Sequence, residues 1–173
     1  MFRKACLEDL DRICEIYDEI HTEEETGRNV TGWVRAIYPT RATAEQALRA
    51  GDVFVEEDAG KIVASAKINQ EQVPEYALAD WQYQVPGEQV MVLHTLTVSP
   101  ALKGRGYGPA FVAYYENYAL EHGCPYLRID TNARNRAARA LYRKLGYTEV
   151  SIVPCVFNGI EGVQLVCLEK KLG

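Results

Sequence analysis

Six residues beyond the middle of the chain, Lys103-Gly104-Arg105-Gly106-Tyr107-Gly108, have the composition of an anion-binding loop. Before them runs Val90-Met91-Val92-Leu93-His94-Thr95-Leu96-Thr97-Val98, an apolar and β-branched stretch that reads as a strand and is stopped by Ser99-Pro100. After them comes Pro109, which suits the first turn of a helix because its missing N–H would have no partner there anyway. Strand, glycine loop and helix start, in that order, aim several backbone N–H groups and the positive end of a helix dipole at one point. Such a point binds phosphate. Spaced glycines by themselves are often ordinary turns, and it is the flanking elements that favour the anion site here.

A dinucleotide-binding fold would place its glycine loop after the first strand of a βαβ unit, with an acidic residue about twenty positions on. This loop lies too late in the chain, and no Gly-Lys-Ser/Thr follows it, so nicotinamide cofactors and ATP are poor candidates. A second motif follows downstream, Asn135-Arg136-Ala137-Ala138-Arg139-Ala140-Leu141-Tyr142-Arg143-Lys144-Leu145-Gly146-Tyr147.

The two motifs together resemble the GCN5-related N-acetyltransferases. That family's cofactor loop has the form Arg/Gln-x-x-Gly-x-Gly/Ala after a strand ending Val-x-Pro, and residues 96–108 match it except that Lys103 takes the Arg/Gln place. Its next helix reads Asn-x-x-Ala-x-x-Leu-Tyr-x-Lys-x-Gly-Phe/Tyr, which Asn135 through Tyr147 fit throughout. The resemblance implies acetyl-CoA as co-substrate, with no metal, held by Leu96 and Val98 of the strand, by the loop Lys103, Gly104, Arg105, Gly106, Tyr107 and Gly108, and by Asn135 and Tyr142. It also implies that the strand after the glycine-loop helix runs parallel to the strand before it, the two splaying apart to admit the pantetheine arm.

Acetyl transfer to nitrogen needs a neutral amine, a polarised carbonyl and a proton for the departing thiolate. His94 stands on the strand before the loop and, by alternation, shares a face with Val92, Leu96 and Val98. In the arylalkylamine branch of the family a strand histidine has the same offset from the loop, so resemblance makes His94 the leading base. Its structural alternative is a half-buried histidine bonded to a loop carbonyl. Glu88 ranks second, since many relatives use a glutamate early in this strand. Tyr142 matches the tyrosine whose hydroxyl lies beside the coenzyme sulfur and can protonate it, and it could equally pack in the core. Asn135 matches the residue that bonds the pantetheine arm and is also a natural helix N-cap. His21 and His122 each sit near a helix C-terminus, which explains them without catalysis. No cysteine has a base near it in sequence, so direct transfer is expected rather than an acyl-enzyme.

The elements that must position these groups fit one α/β (α+β) domain over residues 1–173, with a mixed, mostly antiparallel sheet. A short strand near residues 2–4 precedes an amphipathic helix over 7–21, with Leu7, Leu10, Ile13, Cys14, Tyr17 and Ile20 at helical spacing. A helix from Thr43, its cap, to Ala50 is stopped by Gly51. Strands at 53–55 and 62–66 form a hairpin around Asp58-Ala59-Gly60, and a long connection spans 71–88. A helix over 107–122, a strand over 126–129, a helix over 135–145 burying Ala138, Leu141 and Leu145, and an antiparallel pair over 150–157 and 163–168 complete the chain. Alternating units are too few for a doubly wound parallel sheet.

Charge is unevenly spread. Residues 1–100 carry nine Lys and Arg against eighteen Asp and Glu, while residues 101–145 carry eight against three. The basic block coincides with both motifs and favours an anionic cofactor. A sequence pI near 5.3 without a basic run disfavours nucleic acid. No apolar run reaches membrane-spanning length, and Met1-Phe2-Arg3-Lys4-Ala5-Cys6 lacks a signal core, so a cytoplasmic protein is expected. Five scattered cysteines without a Cys-x-x-Cys pair argue against a disulfide framework or a zinc site. On the acceptor side, Glu71, Glu75, Asp80 and Glu88 alternate with Tyr76, Trp81 and Tyr83, and Asp18, Glu19 and Glu23-Glu24-Glu25 end the first helix. Acidic and aromatic groups together suit a cationic amine. The expected activity is direct N-acetylation of a small-molecule or peptide amine. The alternatives are a non-catalytic coenzyme-A-binding sensor module and a protein-directed acyltransferase, and a homodimer through the tail strands is a further expectation.

Overall fold

The computed structural model describes residues 1–173. Seven strands form one sheet: β1 (Phe2–Lys4), β2 (Val53–Asp58), β3 (Lys61–Asn69), β4 (Val90–Val98), β5 (Tyr126–Asn132), β6 (Thr148–Phe157) and β7 (Ile160–Lys171), in the order β1-β2-β3-β4-β5-β7-β6. All neighbours are antiparallel except β4 and β5. The parallel pair needs a crossover, which α3 (Tyr107–Glu121) supplies. Two further helices, α1 (Leu10–Glu25) and α2 (Arg41–Ala50), precede β2, and α4 (Arg136–Lys144) joins β5 to β6.

Strand alternation sorts the core onto two faces. Phe54, Ala64, Ala66, Ile68, Met91, Leu93, Leu127, Ile129, Val166 and Leu168 pack under α3 and its Phe111, Tyr115 and Ala119. On the other face α1 and α2 bury Ile13, Ile16 and Leu48 against Val53, Val55 and Ile62. The rest of that face, Val90, Val92, Leu165 and Cys167, is covered by the 70–89 connection through Tyr76 and Trp81. That connection is pinned from below. The Arg128 guanidinium lies 4.1 Å from the Trp81 ring centroid and donates to Gln72 and to the Tyr83 carbonyl.

Several element boundaries differ from the sequence expectations for local reasons. A 3-10 turn occupies Leu7–Asp9, and α1 begins only at Leu10 because Asp9 accepts from the Cys6 N–H and pairs with Arg3. The cap of α2 is Thr40 rather than Thr43: Thr40 Oγ1 accepts from the Thr43 N–H, and the Thr43 hydroxyl accepts in return from the Thr40 N–H. Gly51 ends α2 at φ 75°, as a glycine C-cap does. On α4 the buried residue is Tyr142, while Ala138, Leu141 and Leu145 are only partly covered, because that face borders an open cleft instead of a closed core.

The alternation expected for His94 fails. Lys67 of β3 faces His94 and Ser65 faces Thr97, so β4 carries one extra residue between these pairs, where Thr95 has φ 52°. This bulge flips the remainder of the strand. His94 therefore points to the α1/α2 face with Val92, while Leu96 and Val98 pack on the α3 side.

Candidate active site

The parallel pairing of β4 with β5 runs from Val90↔Tyr126 to Leu93↔Ile129 and stops there. Beyond it, the edge of β4 facing β5 has no strand partner, and a cleft of about 1180 Å³ passes through the sheet at that opening. Leu96, Val98, Lys103, Gly104, Gly106, Tyr107 and Gly108 line it on the α3 side, facing Asn135, Ala138, Leu141 and Tyr142. The splay and the loop thus lie where the two motifs require them.

Gly104 and Gly106 stand at φ 81° and 91°, a backbone region that side chains disfavour, and Gly106 is the N-cap of α3. The Lys103 and Arg105 N–H groups close the turn onto Pro100 and Leu102. Those of Gly104, Gly106, Tyr107 and Gly108 have no protein acceptor, and Pro109 has none to offer. A Cβ on Gly104 or Gly106 would meet nothing within 4 Å, so the space above the loop is open. Four free donors at a helix N-terminus fit a pyrophosphate. Arg105 lies outside the cleft lining, and the Tyr107 hydroxyl turns away to Asp58 at 2.5 Å, leaving only its backbone toward the cleft. Of the basic block, Lys103 and Lys144 border the cleft, whereas Arg139 pairs bidentately with Glu149 at 2.8 Å.

Asn135 caps α4 through Oδ1, which accepts from the Ala138 N–H at 3.1 Å, and its amide nitrogen remains available to the cleft. Tyr142 is 6% exposed and its hydroxyl has no protein partner, although it borders the cavity. Burial pushes its phenol well above the ordinary range, so it is protonated at neutral pH. Tyr147 packs edge-on against Tyr142 and donates to Glu116.

On the opposite face two titratable side chains occupy equivalent positions on the splayed strands, His94 on β4 and Asp130 on β5. His94 Nε2 donates to Asn69 Oδ1 at 3.0 Å. The orientation of that amide is fixed, since Oδ1 also accepts from the Glu71 N–H while Nδ2 donates to Asp52. The lone pair of the ring is thereby left on Nδ1. Burial, with the nearby Lys67 ammonium, lowers the His94 pKa to about 4. Asp130, which sequence reasoning missed, borders the cleft and accepts from the Tyr76 hydroxyl at 2.7 Å. Burial raises its pKa to about 6 against the lowering effect of that bond. Its one sequence signal was position, directly after the buried strand residues Leu127 to Ile129. Tyr38, from the loop between α1 and α2, contacts the Thr95 hydroxyl at the bulge.

The structure does not bring Glu88 to this place. It is exposed in a 3-10 turn before β4, at the end of the strand remote from the splay, and only its carbonyl is engaged, by Gln70 and Cys124. His21 is buried and bonded to the Pro39 carbonyl, and His122 is exposed and stacked on Tyr118. The expected acidic and aromatic cluster also disperses. Glu71 pairs with Lys67, Glu23 with Arg28, and Tyr76 and Trp81 belong to the core. No group of three His, Cys, Asp or Glu side chains is arranged to hold a metal, and no helix is long and apolar enough to cross a membrane.

Known proteins resemble this chain in fold and in sequence. An acetyltransferase of the GNAT family from Streptococcus agalactiae superposes with a TM-score of 0.84 at 20% identity, covering 100% of this chain and 95% of that one. The YncA protein of Salmonella typhimurium, solved with its cofactor acetyl-CoA, has a TM-score of 0.70 at 18% identity over 100% and 94%. In sequence, an uncharacterised N-acetyltransferase of Methanocaldococcus jannaschii is 27% identical over 74 residues, 43% of this chain and 33% of that protein. The uncharacterised N-acetyltransferase YhfO of Bacillus subtilis is 32% identical over 62 residues, 36% and 42%. The matches thus span well under half of either relative. The profile of the acetyltransferase (GNAT) family matches residues 10–147, taking in the splayed strands, the glycine loop and α4 up to Tyr147, and the chain belongs to that family.

Proposed function

We propose that the protein is an N-acetyltransferase that moves an acetyl group from acetyl-CoA directly to a primary amine. One observation carries this: the opening between β4 and β5 joins four free backbone N–H donors on one side of the sheet to titratable side chains on the other. Acetyl-CoA, when bound, supplies a thioester whose carbonyl carbon accepts the amine and whose thiol departs. In the proposal Gly104, Gly106, Tyr107 and Gly108 hold the pyrophosphate through their N–H groups, with Lys103 and Lys144 adding positive charge. Asn135 bonds the pantetheine amide, and Leu96 and Val98 form the apolar wall along it.

Tyr142 protonates the leaving sulfur. Its hydroxyl borders the cleft and no protein acceptor competes for it, so it is placed to donate to the sulfur as negative charge gathers there. His94 borders the acceptor side as a neutral imidazole. With its pKa near 4 it is a weak base for an ammonium, because proton transfer is most effective when donor and acceptor are matched near the working pH. It serves instead to orient the incoming amine. The cysteines take no part, since none of the five lines the cleft.

The test is free-thiol release from acetyl-CoA with a panel of amines, with and without Tyr142→Phe. Amine-dependent release that collapses in the variant supports the proposal. Tight acetyl-CoA binding without release for any amine would favour a coenzyme-A-binding sensor.

A further inference from the structure

We propose that Asp130 receives the acceptor as the ammonium of a primary amine on an apolar body, and that Tyr76 is the positioning residue that holds Asp130 for that task. This role rests on the transferase function proposed above. Asp130 lies at the first step past the last β4–β5 pair, on the strand edge that borders the opening. Its Oδ2 is taken by the Tyr76 hydroxyl at 2.7 Å, and its Oδ1 has no protein donor. The surroundings are apolar: Val92 on β4 and Val163, Leu165 and Cys167 on β7 share its face.

No cation faces it. Arg128, two residues earlier on the same face, is engaged by Trp81, Gln72 and the Tyr83 carbonyl. The other titratable groups around Asp130 are Tyr76 and Glu75 of the connection, His94 of β4, Tyr38, Tyr142 of α4, Cys155 of β6 and Cys167 of β7, none of them a positive charge at neutral pH. Elsewhere in the cleft Glu71 and Glu23 already have cationic partners, and Asp52, which has none, is held by the Asn69 amide on the β2–β3 side of the cleft. A carboxylate isolated among apolar groups is costly when ionised. A bound ammonium removes that cost, and the attraction is strongest where water is excluded.

The chemistry balances. Asp130 takes one proton from R–NH3⁺, giving R–NH2 and a carboxylic acid. The nitrogen lone pair forms the N–C bond while the C–S bond breaks, its electrons going to sulfur, which is protonated by Tyr142. The proton lost from the nitrogen as the amide forms returns to Tyr142 through water, and Asp130 releases its own to solvent. Ammonium and thioester become amide, thiol and one proton. A carboxylate beside the amine, as in an amino acid, would be repelled by Asp130. A second ammonium would have to be desolvated among Val163 and Leu165.

The experiment compares 2-phenylethylamine, phenylalanine and spermidine on wild type, Asp130→Asn and Tyr76→Phe. It reads kcat/KM against pH by thiol release, and amine affinity by calorimetry with coenzyme A present. Wild type should prefer 2-phenylethylamine, with an acid limb near pH 6. Asp130→Asn should lose that limb, at least 100-fold in kcat/KM and at least tenfold in amine affinity. Tyr76→Phe should move the limb to higher pH, because the carboxylate loses a donor that favours its charged form, with KM for acetyl-CoA unchanged. Were phenylalanine or spermidine preferred, or were none of the three bound, the substrate class would be overturned. An Asp130→Asn variant with wild-type affinity and limb would overturn the role of Asp130, and an unmoved limb in Tyr76→Phe that of Tyr76. If wild type binds 2-phenylethylamine but releases no thiol, the transferase function fails, and calorimetry on Asp130→Asn still decides the ammonium site.

Discussion

Replacing Asp130 by asparagine should stabilise the fold at pH 8. An ordinary aspartate titrates near 3.9, and in the fold burial moves Asp130 to about 6. Between these values the folded state binds more protons than the unfolded one, so the contribution of Asp130 improves as pH falls through the window. Above pH 6 the ionised carboxylate carries its full cost, at most about 3 kcal/mol for such a shift, and about 1–3 kcal/mol once water in the cleft is allowed for. Asparagine removes the charge and can still accept from the Tyr76 hydroxyl. In a chain of 173 residues the gain corresponds to a rise in Tm of roughly 2–10 °C at pH 8, fading to nothing by pH 4. Thermal melts of wild type and variant across pH 4–8, followed by circular dichroism, read this directly. A variant less stable than wild type at pH 8, or a difference that does not change with pH, would refute the placement of Asp130 as a half-buried carboxylate isolated among apolar groups.

Other perturbations separate the two sides of the cleft. Tyr142→Phe should lower kcat by roughly 10²–10⁴-fold with acetyl-CoA affinity within twofold of wild type, as expected for loss of a general acid; stopped-flow turnover and calorimetry check both. Gly106→Val should weaken acetyl-CoA binding by about tenfold or more in a folded protein, since φ 91° disfavours a β-branched residue and the side chain would stand over the free N–H groups. Gly32→Ala should raise KM for the amine more than for acetyl-CoA. A Cβ there would fall 2.3 Å from Asn132 Nδ2, forcing the loop before α2 away from the end of β5. His94→Gln should leave an acid limb near pH 6 in place, because the histidine is already neutral there; disappearance of the limb would return the base role to His94.

Much of this site was legible in the sequence because its motifs are local. Glycines that must adopt positive φ, a proline in the first helical turn and an asparagine cap announce themselves within a few residues. The splay was expected from resemblance, and it appears as the end of pairing at Leu93 and Ile129. What could not be read depends on register between distant strands. The extra residue at Thr95 reverses the side-chain alternation of β4, and no composition rule marks it, since threonine is an ordinary strand residue. Asp130 was hidden for a related reason. Its isolation is defined by Tyr76, 54 positions away, and by β7 residues that arrive only through sheet pairing. Acidic residues counted along 69–90 suggested a cation site, yet Glu71 pairs with Lys67, Glu88 is exposed far from the splay, and Tyr76 and Trp81 are buried in the core, while Asp130, which has no cationic partner, lies on another strand.

In the proposed reaction acetyl passes from coenzyme A to an amine through the opening between β4 and β5. This transfer is tested most directly by incubating the protein with acetyl-CoA and 2-phenylethylamine, then measuring free thiol and acetylated amine by mass spectrometry. Thiol and amide should form in equal amounts, and both should fall together in Tyr142→Phe. Thiol release at the same rate with and without amine, or acetyl-CoA binding with no amide from any amine tested, would contradict it.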